Sequence, residues 1–337
     1  MQLIDLVPDL TAVILAAREQ RDARNTLSTY LPNTPVADIA YRLGRSQRLD
    51  QTVPIRALDA PATPIVRPGV VDVRGDLPAI TPIEFLTETD LTRAQRLAGI
   101  SVDLAPSVAT AAKRVALAVD NTLELMRGQL LTTGAVGLTL EDGNVRQVDF
   151  QVPSAQKVTP ATAWSAGGAD PFGDMVAWNQ VFINALGSAP AVAICSTRTT
   201  YLLANKLQAM FPQQPIGTVS LNAYLVARGL PALVTNDRTL VTGYNSDGSK
   251  ITQRVWPENA MTFLPPSDVP VGRTELGITQ EAVQQVQNRV LTAAQAPGLT
   301  LQTLGEDNPV QRAVKGAVIG MPIMSDTDAI LCASGLF

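Results

Sequence analysis

The chain has 337 residues; 46% are apolar but only 4% aromatic, so its core must be built from Ala, Val, Leu and Ile rather than from rings. Lys and Arg number 26 against 30 Asp and Glu, a net charge of −4 with no basic run, which disfavours a nucleic-acid binder. Histidine is absent, which excludes Ser-His, Cys-His and His-metal chemistry together. The length suits one large domain or two closely joined ones. Charged residues make up 17%, below the usual quarter for a soluble chain. Two readings of that deficit stay open: surface buried against other copies of the chain, or a compact Ala-rich protein.

In chain order, the first 50 residues hold a short amphipathic helix over Asp9–Asn25, with Asp9 as cap and Leu10, Val13, Ile14 and Ala17 on one face. The opening residues lack a basic stretch, and Asp5 and Asp9 interrupt the apolar run, so no targeting signal is expected. Residues 51–85 are extended, because Pro54, Pro61, Pro64, Pro68, Pro78 and Pro82 forbid a helix; Val66–Val73 is a candidate strand. Such a ribbon reads as a projection from the body, its prolines blunting edge pairing. Residues 106–131 predict a long helix. Val108, Ala112, Val115, Val119, Leu123, Met126 and Leu130 recur at steps of three and four on one stripe, over roughly 39 Å, and Gly134 follows as a stop. A hairpin is expected next, Val136–Glu141 and Asn144–Phe150 around Asp142-Gly143. Asp170 and Pro171 open a further helix with Phe172, Met175, Phe182, Ile183 and Leu186 buried, closed by Gly187. Ala191–Cys195 is a buried strand, and Ser196 caps a helix running to Phe211. The uncharged run Met175–Thr197 therefore reads as helix, turn and strand rather than as a membrane span. Strands follow near Leu233, at Thr239–Tyr244 and at Lys250–Trp256, the last two joined through Asp247-Gly248. A helix over Gln280–Ala294 and a strand pair, Leu299–Leu304 with Val314–Pro322, complete the chain.

Motifs that carry chemistry are sparse. Gly134–Gly143 is glycine-rich, but no Gly-Lys-Ser/Thr triplet follows it, and no Gly-x-Gly-x-x-Gly follows a strand. Without histidine only carboxylate metal sites remain, and the nearest groupings, Asp237 and Asp326-Thr327-Asp328, read as turn-capping loops. No Ser-x-x-Lys occurs, and Lys157 and Lys206 have ordinary surroundings. Cys195 and Cys332 are too few for a disulfide framework, and Cys195 ends an apolar run. Arg74-Gly75-Asp76 is a three-residue chance match, and Arg42, Arg45 and Arg48 are diluted by Asp38 and Asp50. No residue is assigned a catalytic, cofactor-binding or metal-binding role. A rich structural inventory beside an empty chemical one fits a protein whose function is its shape.

The order of these pieces resembles the major capsid protein E family of phage lambda and its relatives. The long helix ends in Met126-Arg127-Gly128-Gln129-Leu130-Leu131-Thr132-Thr133-Gly134, similar to the apolar pair and Thr-Gly of that family. The hairpin ends in Val148-Asp149-Phe150, and Trp164, Asp170-Pro171, Asp174 and Trp178 follow in the family's succession. Ala189-Pro190, the Asp247-Gly248 hairpin, and Pro322 with Asp326 and Asp328 also fit. The likeness runs from about residue 50 onwards. It departs at Leu276, where the family often has an aromatic before the glycine, and in the first 50 residues, which match nothing.

The resemblance implies an α+β chain of the Hong Kong 97-like capsid fold, with a long spine helix, an extended loop, and peripheral and axial domains. Residues 1–50 would be an N-terminal arm and 51–90 the extended loop region. Residues 91–169 would be the peripheral domain with spine helix and hairpin, 170–265 the axial domain, and 266–337 a segment returning to the peripheral domain. It implies a phage major capsid protein that self-assembles, as hexamers and pentamers, into the icosahedral head shell around double-stranded DNA. The expected location is the virion, after the host cytoplasm, with no membrane, cofactor or enzymatic activity. Only about 105 residues precede the spine helix, so a separate scaffolding protein is expected beside a portal and a possible decoration protein. Alternatives are an encapsulin-like nanocompartment shell, another virion component, and an unrecognised enzyme.

Overall fold

The computed structural model describes residues 2–3, 16–17, 19, 21–44, 72–90, 92, 105–139, 145–213, 215–269, 271–307 and 310–337. Short strands come first: β1 (Gln2–Leu3), β2 (Asn33–Pro35), β3 (Ala40–Gly44), β4 (Asp72–Asp76), β5 (Ala79–Ile80) and β6 (Ile83–Leu86). The spine helix α1 (Ala105–Thr133) and the hairpin β7 (Ala135–Thr139) and β8 (Val145–Asp149) follow. Then come β9 (Lys157–Val158), α2 (Pro171–Leu186), β10 (Val192–Cys195), α3 (Thr197–Met210), α4 (Thr218–Ala227) and β11 (Ala232–Thr235). A ribbon, β12 (Thr239–Tyr244) with β13 (Lys250–Arg254), leads to β14 (Met261–Leu264), β15 (Gly272–Leu276) and α5 (Gln280–Gln287). Two long strands, β16 (Thr300–Asp307) and β17 (Val310–Met324), and the short β18 (Leu331–Ala333) end the order.

Two sheets carry the cores. The first runs β1-β16-β17-β15-β2, with β5 and β6 also paired to β17. α1 lies on one of its faces: Val108, Val115, Val119 and Leu123 pack with Leu299, Leu301, Val314 and Val318. α5 covers the other, where Lys315 Nζ meets Glu281 Oε1 at 2.7 Å and Gln285 Nε2 donates to the Leu301 carbonyl at 2.7 Å. The second sheet runs β11-β10-β14-β18-β9, and Leu130 and Leu131 at the C-terminal end of α1 join its core. A single helix of 29 residues, about 44 Å, thus runs through both cores.

Two glycines permit these contacts. A Cβ on Gly316 of β17 would sit 2.6 Å from Val115 Cγ1, and one on Gly128 of α1 would sit 2.2 Å from the Val255 carbonyl oxygen. A glycine inside a helix is otherwise unfavourable by about 1 kcal/mol; here it lets helix and loop backbone touch.

The stripe expected on α1 is buried throughout except Met126, which is half-buried. The Thr132 and Thr133 hydroxyls donate to the Gly128 and Gln129 carbonyls, and Gly134, at φ +74°, donates its N–H to Leu130 O. That is the physical content of the Leu-Leu-Thr-Thr-Gly ending. α2 starts and stops as expected: Asp170 accepts from Gly173 N, Pro171 takes the first position and Gly187 caps at φ +81°. Its buried face includes Trp178, whereas Ile183 is half-buried. Met175–Thr197 resolves into helix, turn and strand, and among the described residues no helix is long and apolar enough to cross a membrane.

Several expectations need correction. Helix over Asp9–Asn25 is present at residues 16–17 but not at 21–25, where the Asp22 carboxylate accepts from Arg24 N at 3.0 Å and turns the chain; residues 9–15 lie outside the described residues. The strand expected at Val66–Val73 is described only from Asp72 and runs on to Asp76. The turn at Asp142-Gly143 lies outside the described residues. The helix begun at Gln280 ends at Gln287, where Arg289 takes a left-handed φ of +60°. The strand from Lys250 stops at Arg254 because Val255 and Trp256 turn into the core. α4 was not anticipated, and β16 and β17 are longer than the pattern implied.

Candidate assembly interface

The residues weighed for chemistry that the structure describes make the following contacts. Cys195 lies against Thr200 Oγ1 at 3.5 Å, and Cys332 donates to Leu131 O at 3.4 Å. Both thiols are free and buried, and burial pushes them up, to about 11 for Cys195 and about 12 for Cys332. Asp326 Oδ1 accepts from Asp328 N at 3.1 Å, capping a short turn. Asp237 is bound by the Thr197 hydroxyl and ion-paired with Arg254 at 2.5 Å. Lys206 Nζ donates to Ala166 O at 2.6 Å, and Lys157 belongs to β9. Arg74-Gly75-Asp76 is part of β4, where the Gly75 position gives room to the Tyr41 ring of β3. Arg42 stands opposite Arg74 in the same ladder, while Arg45 and Arg48 lie outside the described residues. Among the described residues no three Asp, Glu or Cys side chains gather as metal ligands.

The tryptophan and aspartate succession has a shared purpose. Trp164 and Trp178 stack at 5.5 Å, Trp178 meets Phe263 edge-on at 6.4 Å, and Trp164 Nε1 donates to Asp174 Oδ2 at 2.8 Å. Both rings sit in the core beneath α2, with the buried N–H satisfied.

A polar face on α1 was not foreseen. Glu124 and Arg127 have fully buried side chains and pair at 3.1 Å. Arg127 also donates to Thr274 Oγ1 at 3.0 Å and Asn33 Oδ1 at 2.6 Å, and Glu124 accepts from Leu27 N at 2.8 Å. One turn before Glu124, Asp120 accepts from Asp22 N and Asn25 Nδ2, at 3.0 and 2.9 Å. Arg238, at the ribbon's base, donates to Asp22 Oδ2 at 2.5 Å and Asn121 Oδ1 at 3.1 Å. Burial pushes the Glu124 carboxyl up and the Arg127 guanidinium down, while their pairing and hydrogen bonds favour the charged forms. Residues 22–33 are thereby strapped along the spine helix. Period-based reading misses this, because charged residues at helical spacing usually face solvent.

The remaining surface is apolar in a concentrated way. Of thirteen large exposed hydrophobic side chains among the described residues, ten lie between Val176 and Ile251. Val219 and Val226 project from α4, Tyr201, Met210 and Phe211 from α3 and its end, Val234 from the edge strand β11, and Val241, Tyr244 and Ile251 from the ribbon. Ile83 and Phe85 add a second patch on β6. Exposed large apolar side chains concentrated in one stretch of chain are candidates for sites of association.

A family model described as phage major capsid protein E matches residues 32–333. The chain belongs to that family. It is a shell-forming capsid protein with the Hong Kong 97-like fold, a component of the virion whose copies self-assemble. No curated protein matches it. Among solved structures, the chain is similar to a putative capsid protein of a prophage in E. coli CFT073, at 14% identity and TM-score 0.63, covering 99% of each chain. It is also similar to a phage-related protein from Bordetella bronchiseptica RB50, at 14% identity and TM-score 0.59, covering 100% of this chain and 98% of that one. For a capsid chain, the apolar surface of residues 176–251 is the candidate site.

Proposed function

We propose that this chain forms hexamers and pentamers that close into the icosahedral head shell around phage double-stranded DNA, with no catalytic step of its own. The observation that carries this is the concentration of exposed apolar side chains in residues 176–251 on a chain of the capsid family: these are the side chains that neighbouring copies would cover. Residues 170–265 form the axial domain around each ring, and 91–169 with most of 266–337 the peripheral domain. The exceptions are β9 and β18, which pair with each other in the second sheet, where β18 also pairs with β14. Residues 1–50 are the arm, strapped to the spine helix along residues 22–33. Residues 51–90 are the extended loop region, whose β4 pairs with β3 of the arm. The negative balance suits a container that must release its DNA. Assembly takes place in the host cytoplasm with a separate scaffolding protein and a portal, and a decoration protein fits the same scheme.

Negative-stain electron microscopy tests this on the chain expressed with and without its neighbouring phage genes. Closed icosahedral particles or sheets of hexamers are expected, and a monodisperse monomer under both conditions would overturn the reading. Replacing residues 45–71 with a short Gly-Ser linker should leave a folded subunit that forms no shells.

A further inference from the structure

The ring contact can be assigned to two surfaces of the same stretch of chain. α4 carries no charged residue from Thr218 to Ala227. Leu221 and Leu225 are buried on its inner side, yet the outer stripe Val219, Ala223, Val226 and Ala227 is also apolar and exposed, Val219 at 84%. A helix apolar on both sides belongs in an interior. Next to it β11 is the sheet's edge strand, with Val234 and Thr235 open to solvent.

The second surface is the ribbon. β12 and β13 pair only with each other among the described strands, a unit marginal on its own. Its base is fixed: Arg254 pairs with Asp237 at 2.5 Å and Glu258 at 3.0 Å, and Arg198 reaches Glu258 at 2.9 Å. The register shifts between Val241 and Gly243, so Val241 and Tyr244, three residues apart, stand on one face opposite Thr252 and Lys250. Leu240 on the other face is buried. The ribbon, anchored at its base, therefore presents Val241 and Tyr244 on a face that is exposed among the described residues, with Thr252 and Lys250 across the ladder from them.

Copies arranged head to tail in a ring need two different, complementary patches on each chain. We propose that the outer stripe of α4 on one copy packs against the Val241–Tyr244 face of the next copy's ribbon, closing the ring. This rests on the shell reading above. The occupant is a second copy because a shell built from one chain surrounds each subunit with others. The α4 stripe carries no charge, as the desolvated middle of an interface requires, and on the ribbon Tyr244 supplies the aromatic anchor typical of one, with Lys250 beside it long enough to keep its ammonium at the rim.

The test uses the full chain expressed with its neighbouring phage genes. Val226→Cys and Val241→Cys, singly and together, are treated with a flexible bis-maleimide after assembly; the native thiols are buried and give no background. The double variant is expected to give a covalent ladder up to the ring size, and the single variants no dimer. Val226→Asp and Val241→Asp are expected to melt like the wild type, since both sites are exposed, but to lower particle yield by at least ~10-fold by burying a charge in the contact. Normal particle yield from both Asp variants, or dimers from Val226→Cys alone, would overturn the pairing while leaving the shell reading intact. Wild-type chain that forms no particles at all would overturn both.

Discussion

Gly128→Ala sets two known effects against each other. Alanine in a helix interior is favoured over glycine by about 1 kcal/mol, so propensity alone makes the substitution stabilising. The added Cβ would sit 2.2 Å from the Val255 carbonyl oxygen and 2.9 Å from Val255 Cγ1. An ordinary contact needs about 1 Å more, and the nearest atom is backbone, unable to rotate aside. The loop must then lift from α1 beside the fully buried Trp256, and overpacking of this kind costs about 1–3 kcal/mol. With the upper end of that range set by the backbone neighbour, the net expectation is destabilisation of about 2 kcal/mol. Urea unfolding of the purified chain, followed by tryptophan fluorescence, measures it as a lower midpoint at unchanged slope. Adding Val255→Ala should recover only part of the loss, since the carbonyl remains. A midpoint raised by the single substitution would show that helix and loop do not approach as closely as described.

Three further outcomes follow from the buried groups. Removing one partner of the Glu124–Arg127 pair, by Glu124→Gln or Arg127→Met, is expected to cost about 3–5 kcal/mol in urea unfolding, while Glu124→Leu with Arg127→Met should recover part of it; single variants within ~1 kcal/mol of wild type would refute the burial. Asp22 is held well below the usual carboxylate range, first by the Arg24 side-chain hydrogen bond, then by Arg24 N–H, with Arg238 adding attraction. Its folded value being depressed, its stabilisation is fully present above about pH 4 and is lost as pH falls through the folded value; the melting difference between wild type and Asp22→Asn should shrink in strong acid, and a constant difference would count against the ion pair. Cys195 and Cys332 should resist maleimide in the native chain at pH 8 and react fully in urea, because burial keeps them protonated; rapid native labelling would contradict that.

Much of the fold was legible because its signals are local. The helical stripe on α1, the Asp170-Pro171 start and Gly187 stop of α2, and the Ser196 cap of α3 each depend on residues within a turn or two. α4 was invisible for the same reason: its period is hidden by apolar residues on both sides, and the outer ones face outward for a partner rather than inward for a core. The strap escaped because Asp22, Asn25, Leu27 and Asn33 meet Asp120, Glu124 and Arg127 across more than ninety residues of sequence. Thr274 and Arg238 join them from further still. The Trp164–Asp174–Trp178 succession was visible as an order of residues, but that it is one stacked and hydrogen-bonded unit is a fact of three dimensions. The candidate assembly surface lay hidden in the low charged fraction, a hint with no address.

The spine helix is embedded at both ends, which makes it a lever as well as a support. Over about 44 Å, a tilt of about one degree at one end of the helix becomes a displacement of about 0.8 Å at the other. Close-packed interiors tolerate little of that without repacking. Copies can therefore differ in their exposed loops far more freely than in the angle of this helix. The curvature of a large closed surface then depends on how reproducibly one rod is seated in each subunit.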